Sequence, residues 1–229
     1  LPTSIRRVAA VHLGAFGTHH DSGNVVALRQ TNIVRMIAYS SVSQGGFVLM
    51  PLAVAGINNG GASALRAVVV YMLIYAATNL GMFGVIIAVS RKTRSGEISS
   101  WGGLFSYAPG LGALATIFLA SLAGIPPLGG WVGKFAAFQS MLTSGSGWGY
   151  ALALIGAVNS VVAFGYYGSV MREIWMKPVP DGDTTPIRIP GSLKLALVIT
   201  AVATLVLGIL PGVAMHFGDI ARLTSAFGG

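Results

Sequence analysis

A lysine stands in one of the most apolar stretches of this 229-residue chain, "LAGIPPLGGWVGKFAAF" at residues 122–138. Lys134 follows two prolines and a run of glycines. A lysine can give up and regain a proton where an arginine cannot, and a cation inside a membrane usually marks an ion or proton route. Counted back from Thr143, Lys134 lies about ten residues into its segment, ~15 Å at helical rise. That is half of a ~30 Å hydrocarbon core. Holding a lysine there costs at least ~2.5–3.5 kcal/mol. A buried acid could pair it for structure alone, yet no Asp or Glu lies inside the apolar segments, and Glu173 stands only near an end of one. Lys134 is the candidate proton carrier.

The neighbouring "GIPPLGG" has a related use. Pro126 and Pro127 lack N–H donors and clash with the preceding turn, while Gly124, Gly129 and Gly130 tolerate any backbone angle. A break at membrane depth frees backbone N–H and C=O groups, which is tolerated where they line a polar cavity or pack on protein. A plain proline kink is the simpler alternative. The midplane lysine within two turns favours a functional break.

Polar residues in other apolar segments are candidates for a proton path. Tyr71, Tyr75, Thr78 and Asn79 share one helical face, Tyr39, Ser40, Ser43 and Gln44 nearly share another, and Asn159, Ser160 and Tyr166 stand in a third segment. Tyr39, Ser43, Tyr75, Asn79 and Asn159 are taken as the path candidates. Such groups also glue membrane helices together, at about 0.6 kcal/mol each. His19, His20 and Asp21 are adjacent in sequence and cannot readily surround one ion, so no metal site is expected. His216 is an ordinary interfacial histidine.

The elements that must position these residues are apolar helices. Hydrophobic residues make up 54% of the chain and charged ones 9%, against roughly 25% charged in soluble domains. An all-α, polytopic transmembrane bundle is expected. Five stretches reach the ~20 residues of a span: Val34–Ile57, Val68–Ser90, Gly110–Thr143, Tyr150–Trp175 and Leu193–Phe217. The third is too long for one straight span, ~50 Å, and is read as half-helices Gly110–Ala123 and Trp131–Thr143. The connections are short, which gives one membrane domain. There is no cysteine, so no disulfide or thiol-held cluster can form. The net charge of +8 is spread between apolar runs. That suits an anionic lipid surface and not a nucleic-acid groove.

The basic residues predict sidedness. Arg6, Arg7, Arg29, Arg35, Arg91, Lys92, Arg94, Arg172, Lys177, Arg188 and Lys194 fall on one side of a five-span chain, and Arg66 and Arg222 on the other. The C-terminus is expected outside. The chain starts at Leu1 with no secretory signal pattern and is expected to be a fragment or a processed product.

Two stretches, "QTNIVRMIAYSSVSQGGF" (30–47) and "SLAGIPPLGGWVGKF" (121–135), resemble the antiporter-like membrane subunits of respiratory complex I, the proton-translocating NADH–quinone oxidoreductase. "YAATNLGMFGVI" (75–86) and "NSVVAFGYYGSVMREIW" (159–175) fit as well. The "QTN" start is most similar to the subunit N branch. The resemblance runs from about Asn24 to Phe217. It implies a bundle of about fourteen helices with two inverted five-helix repeats, of which residues 24–229 are the C-terminal part. It implies that Lys134 is the family's central lysine in the second broken helix, relaying a proton toward the outer side. It implies no redox cofactor in this chain, with NADH, FMN, Fe–S clusters and quinone in other subunits. The partners are then the other complex I membrane subunits and the lipid of a bacterial inner membrane. Two features depart from the family: Val34 replaces a lysine in its "NIKRM" pattern, and residues 1–23 form an atypical N-terminal segment, a possible fragment junction. An Mrp-type cation/proton antiporter subunit and an inactive structural membrane fragment are the alternatives.

Overall fold

The computed structural model describes residues 23–58 and 60–220. The atypical segment, with His19, His20 and Asp21, falls outside the described residues except for Gly23, and so does Arg222. The described residues are 80% helix and form no strand. After a helical segment at residues 23–28, the long elements are α1 (Ile33–Ala53), α2 (Gly61–Thr93), α3 (Pro109–Ala123), α4 (Gly129–Thr143), α5 (Gly147–Met176), α6 (Gly191–Ile209) and α7 (Pro211–Ile220).

Local chemistry explains the boundaries. The Asn32 side chain accepts from the N–H groups of Val34 and Arg35 and caps α1. Ser146 accepts from the Gly149 N–H and caps α5 in the same way. Arg91 and Lys92 sit in the last turn of α2, where cations favour the carbonyl end of the helix dipole. α2 begins seven residues before the expected Val68 and carries Arg66 in the added turns.

Three helices, α2, α5 and α6, are long and apolar enough to cross a membrane by length and composition, and α3 is apolar but shorter. α1 has the length, with 21 residues, but Arg35, Ser40, Ser41, Ser43 and Gln44 dilute its apolar character. The expected single segment Leu193–Phe217 is two helices. Pro211 starts α7 without an N–H to continue the ladder, and Leu210 before it leaves helical geometry at φ −116°, ψ 72°.

α2 runs through the centre and packs on α1, α3, α4, α6 and α7, while α5 packs on α3 and α4. At one end of the bundle, Ile33 N–H donates to Gly96 O (2.8 Å) and Ile98 N–H to Thr31 O (2.7 Å), tying the start of α1 to the connection after α2. Gly103 N–H donates to Glu173 O at 3.1 Å. Lys92 holds the extended 177–190 connection there: its Nζ donates to Asp183 O at 2.9 Å, lies 3.6 Å from Asp183 Oδ2, and stands 4.1 Å from the centre of the Tyr107 ring. The Thr185 hydroxyl and N–H, with Lys92 adding to them, hold the Asp183 carboxyl below its ordinary range. At the other end, Asn58 Nδ2 donates to Ser144 O at 2.8 Å and Arg66 pairs with Asp219 at 3.3 Å.

Candidate functional site

A C-terminal helix turn leaves four carbonyls without intrahelical donors. In α3 these belong to Ala120, Ser121, Leu122 and Ala123, and each has a partner. Gly124 N–H donates to Ala120 O (3.1 Å) and Ser121 O (2.9 Å), and Ile125 N–H also donates to Ala120 O (3.0 Å). Gln44 Nε2 donates to Leu122 O at 3.1 Å. Lys134 Nζ donates to Ala123 O at 2.9 Å.

Lys134 is 4% exposed. Its ammonium lies at the negative end of the α3 dipole and 5.0 Å from the centre of the Phe47 ring, a cation–π contact. The ion pairs of the described residues, Arg66–Asp219 and Lys92–Asp183, do not include it. The interruption of the helix thus supplies the oxygen that a buried lysine without an acid needs.

The glycines of the break have different tasks. Gly124 has φ +92°, a left-handed cap, and a Cβ there would lie 2.8 Å from Lys134 Cδ. Gly129 and Gly130 lie in the first turn of α4 with negative φ. Clearance, not backbone freedom, is what they provide: a Cβ on Gly130 would lie 1.7 Å from Ser121 O. Gly130 N–H donates to Ser121 Oγ at 2.9 Å, so a side chain of α3 caps the start of α4. Pro126 and Pro127 lie between the two helices and are joined by a cis peptide bond.

Gln44 is 2% exposed and links three helices. Tyr71 O–H donates to its Oε1 at 2.5 Å, and its Nε2 also donates to the Tyr167 hydroxyl at 3.3 Å. Tyr167 in turn bonds Ser40 Oγ. A second group joins Thr78 Oγ1 to Ser121 Oγ and Thr204 Oγ1, each at 3.3 Å. Between the two groups is a cavity of ≈ 10 Å³ lined by Gln44, Tyr71, Tyr75, Thr78, Ser121 and Gly130, at the threshold for one water. A larger cavity of ≈ 170 Å³ lies toward the Arg66 end, lined by Ser63, Arg66, Gln139 and Ser140 among others.

The path candidates are distributed unevenly about this centre. Tyr75 lines the small cavity and donates to Ser41 Oγ at 2.7 Å. Ser43 is buried. Asn79 is partly buried, with its Oδ1 lacking a hydrogen-bond partner among the described residues. Asn159 is buried in a separate cluster, where Asn24 Nδ2 donates to its Oδ1 at 2.7 Å and Tyr166 O–H donates to Asn24 Oδ1 at 3.0 Å. Tyr39 is 39% exposed. At 3.6 residues per turn, Tyr39 and Gln44 lie about 140° apart around α1, so Gln44 faces the break and Tyr39 faces away. Gln44 and Tyr71 belong to the polar stripes visible in the sequence. Thr204, one threonine in a long apolar run, has no such signal.

An all-helical bundle with three helices long and apolar enough to cross a membrane defines the class as membrane protein. The transmembrane family described as NADH:quinone oxidoreductase/Mrp antiporter matches residues 22–162. The chain belongs to this family. NADH-quinone oxidoreductase subunit N of Heliobacterium modesticaldum is 40% identical over 190 residues, covering 83% of this chain and 38% of that protein. A chain of respiratory complex I from Thermus thermophilus superposes with a TM-score of 0.67 at 27% identity, over 87% of this chain and 43% of that one. A chain of the Mrp complex from Dietzia sp. DQ12-45-1b superposes with a TM-score of 0.80 over 93% of this chain and 46% of that one; at 20% identity this is a likeness of fold alone. The chain spans less than half the length of these relatives.

Proposed function

We propose that this chain is the C-terminal part of a proton-translocating membrane subunit of an NADH–quinone oxidoreductase, with residues 24–229 forming one antiporter-like domain and Lys134 carrying the proton. The carrying observation is the buried ammonium of Lys134 against Ala123 O, with no ion-pair partner among the described residues. A lysine held by a neutral carbonyl can exchange its proton, whereas a lysine locked to a carboxylate is held charged.

Five crossings fit this reading, with α3 and α4 together making one discontinuous span. The described basic residues Arg29, Arg35, Arg91, Lys92, Arg94, Arg172, Lys177, Arg188 and Lys194 stand near the end tied by Thr31, Gly96, Lys92 and Gly103, with Arg66 at the other, which supports placing the first end in the cytoplasm and the C-terminus outside a bacterial inner membrane. The partners are other membrane subunits of the complex. Redox chemistry belongs to NADH, FMN, Fe–S clusters and quinone in those other subunits, and this chain supplies the proton site.

The test is Lys134→Met in the assembled complex, read as proton uptake into sealed vesicles beside NADH oxidation, with assembly checked on the same sample. Translocation is expected to fall about tenfold or more. Uptake at the wild-type level would reject Lys134 as the carrier and leave a structural role.

A further inference from the structure

The four carbonyls ending α3 are divided among donors of different kinds. Backbone N–H groups take Ala120 and Ser121, Gln44 takes Leu122, and Lys134 takes Ala123. An ammonium has three donors and could bond a second carbonyl of the same turn. Gln44 holds the Leu122 oxygen, and its amide orientation has a physical cause. Tyr71 O–H donates to Oε1, so Nε2 must face Leu122 O and the Tyr167 hydroxyl. The reverse orientation would set the amide oxygen against a carbonyl oxygen.

We propose that Gln44 is a positioning residue for the Lys134 site: it occupies the Leu122 carbonyl and confines the ammonium to the carbonyl of Ala123. The proposal rests on the reading of Lys134 as proton carrier. A carrier must release its proton in each cycle, and every further acceptor on the ammonium favours its charged form. An amide withholds an acceptor without adding a charge. The other groups about the site are neutral: Phe47 of α1, Tyr71 of α2 and Tyr167 of α5. The acids of the described residues, Glu97, Glu173, Asp181, Asp183 and Asp219, all lie in connections or near helix ends, as do Arg29, Arg35, Arg66, Arg91, Lys92, Arg94, Arg172, Lys177, Arg188 and Lys194.

The experiment compares wild type, Gln44→Met and Lys134→Met in the assembled complex, measuring proton uptake into sealed vesicles per NADH oxidised across a pH series. Gln44→Met keeps the length of the side chain and frees Leu122 O. Uptake is expected to fall about three- to tenfold at neutral pH, the range of one hydrogen bond, with the optimum displaced to higher pH, where release recovers. A Gln44→Met profile that superimposes on the wild-type profile, or that falls equally at every pH, would overturn the positioning role. Loss of uptake in Lys134→Met beside either of those profiles would overturn it while keeping Lys134 as carrier; normal uptake in Lys134→Met would remove the carrier reading itself. If Gln44→Met fails to assemble, Tyr71→Phe serves instead. It deletes the hydroxyl that fixes the amide and is expected to move the optimum the same way by less; an unmoved optimum there would overturn the proposal equally.

Discussion

Two junctions among the described residues, α3–α4 and α6–α7, differ in what they do with freed backbone groups. Between α3 and α4 the chain leaves helical geometry over residues 124–128, and two side chains from elsewhere, Gln44 and Lys134, take carbonyls of the preceding turn. Between α6 and α7 a single residue, Leu210, makes the break. Its own N–H stays bonded to Val206 O, and Val213 N–H turns back to Leu210 O. No charged residue occurs from Thr204 to Met215. Pro211 starts α7 at the second junction, whereas Pro51 lies inside α1. At the first junction the donor to Ala123 O is a titratable group, Lys134, whereas at the second the donors are backbone N–H groups. The two breaks also touch: a Cβ on Gly208 would lie 2.1 Å from Pro127 O.

That contrast predicts graded damage. The largest effect is expected from Gly130→Val, because even its Cβ would stand 1.7 Å from the Ser121 carbonyl oxygen. Backbone cannot yield as a side chain end can, and the α3–α4 pair should separate, with loss of the assembled subunit measured by native gel or mass. Gly208→Ala comes next. It drives a methyl group into the 124–128 connection and should cost about 1–3 kcal/mol, read as a lower thermal midpoint of the purified complex. Equal thermal midpoints for Gly208→Ala and wild type would show that the two breaks are mechanically independent.

Gly124→Ala tests the first break more finely. The left-handed backbone costs roughly 1–2 kcal/mol for an L-residue, and the methyl would press on the Lys134 stem. Proton uptake should fall more than assembly does. The smallest effect is expected from Pro211→Ala at the other break. No titratable side chain among the described residues bonds to that turn, so uptake should stay within about twofold of wild type and stability within about 1 kcal/mol. A loss of uptake comparable to that of Gly124→Ala would erase the distinction between the two interruptions.

The sequence displays the first break because its determinants are local. Two prolines, flanking glycines and a lone cation stand within one short stretch, and a lysine in so apolar a run is conspicuous. The second break is marked only by Pro211 and Gly212 inside an apolar run, a pattern that a kinked continuous helix shares. What separates the two cases is the contact of Gly208 with Pro127, 81 residues away in the chain. Gln44 shows the same limit. Its stripe is visible, but its partners Leu122 and Tyr167 lie on other helices, 78 and 123 residues distant. The angular offset between Tyr39 and Gln44 can be derived from helix geometry. Which of the two faces the break is decided only by the packing of α1 on α2 and α4.

The central claim is that Lys134 changes charge in the working cycle, beyond capping a carbonyl. Lys134→Arg separates these roles most directly. An arginine can donate to Ala123 O and keep the positive charge over Phe47, but it cannot be deprotonated in a protein. The measurement is proton uptake into sealed vesicles by an assembled Lys134→Arg complex, normalised to its NADH oxidation. The account predicts assembly near the wild-type level with translocation reduced about tenfold or more. Wild-type uptake by that variant would contradict it and leave Lys134 as a cap that ties α4 to the end of α3.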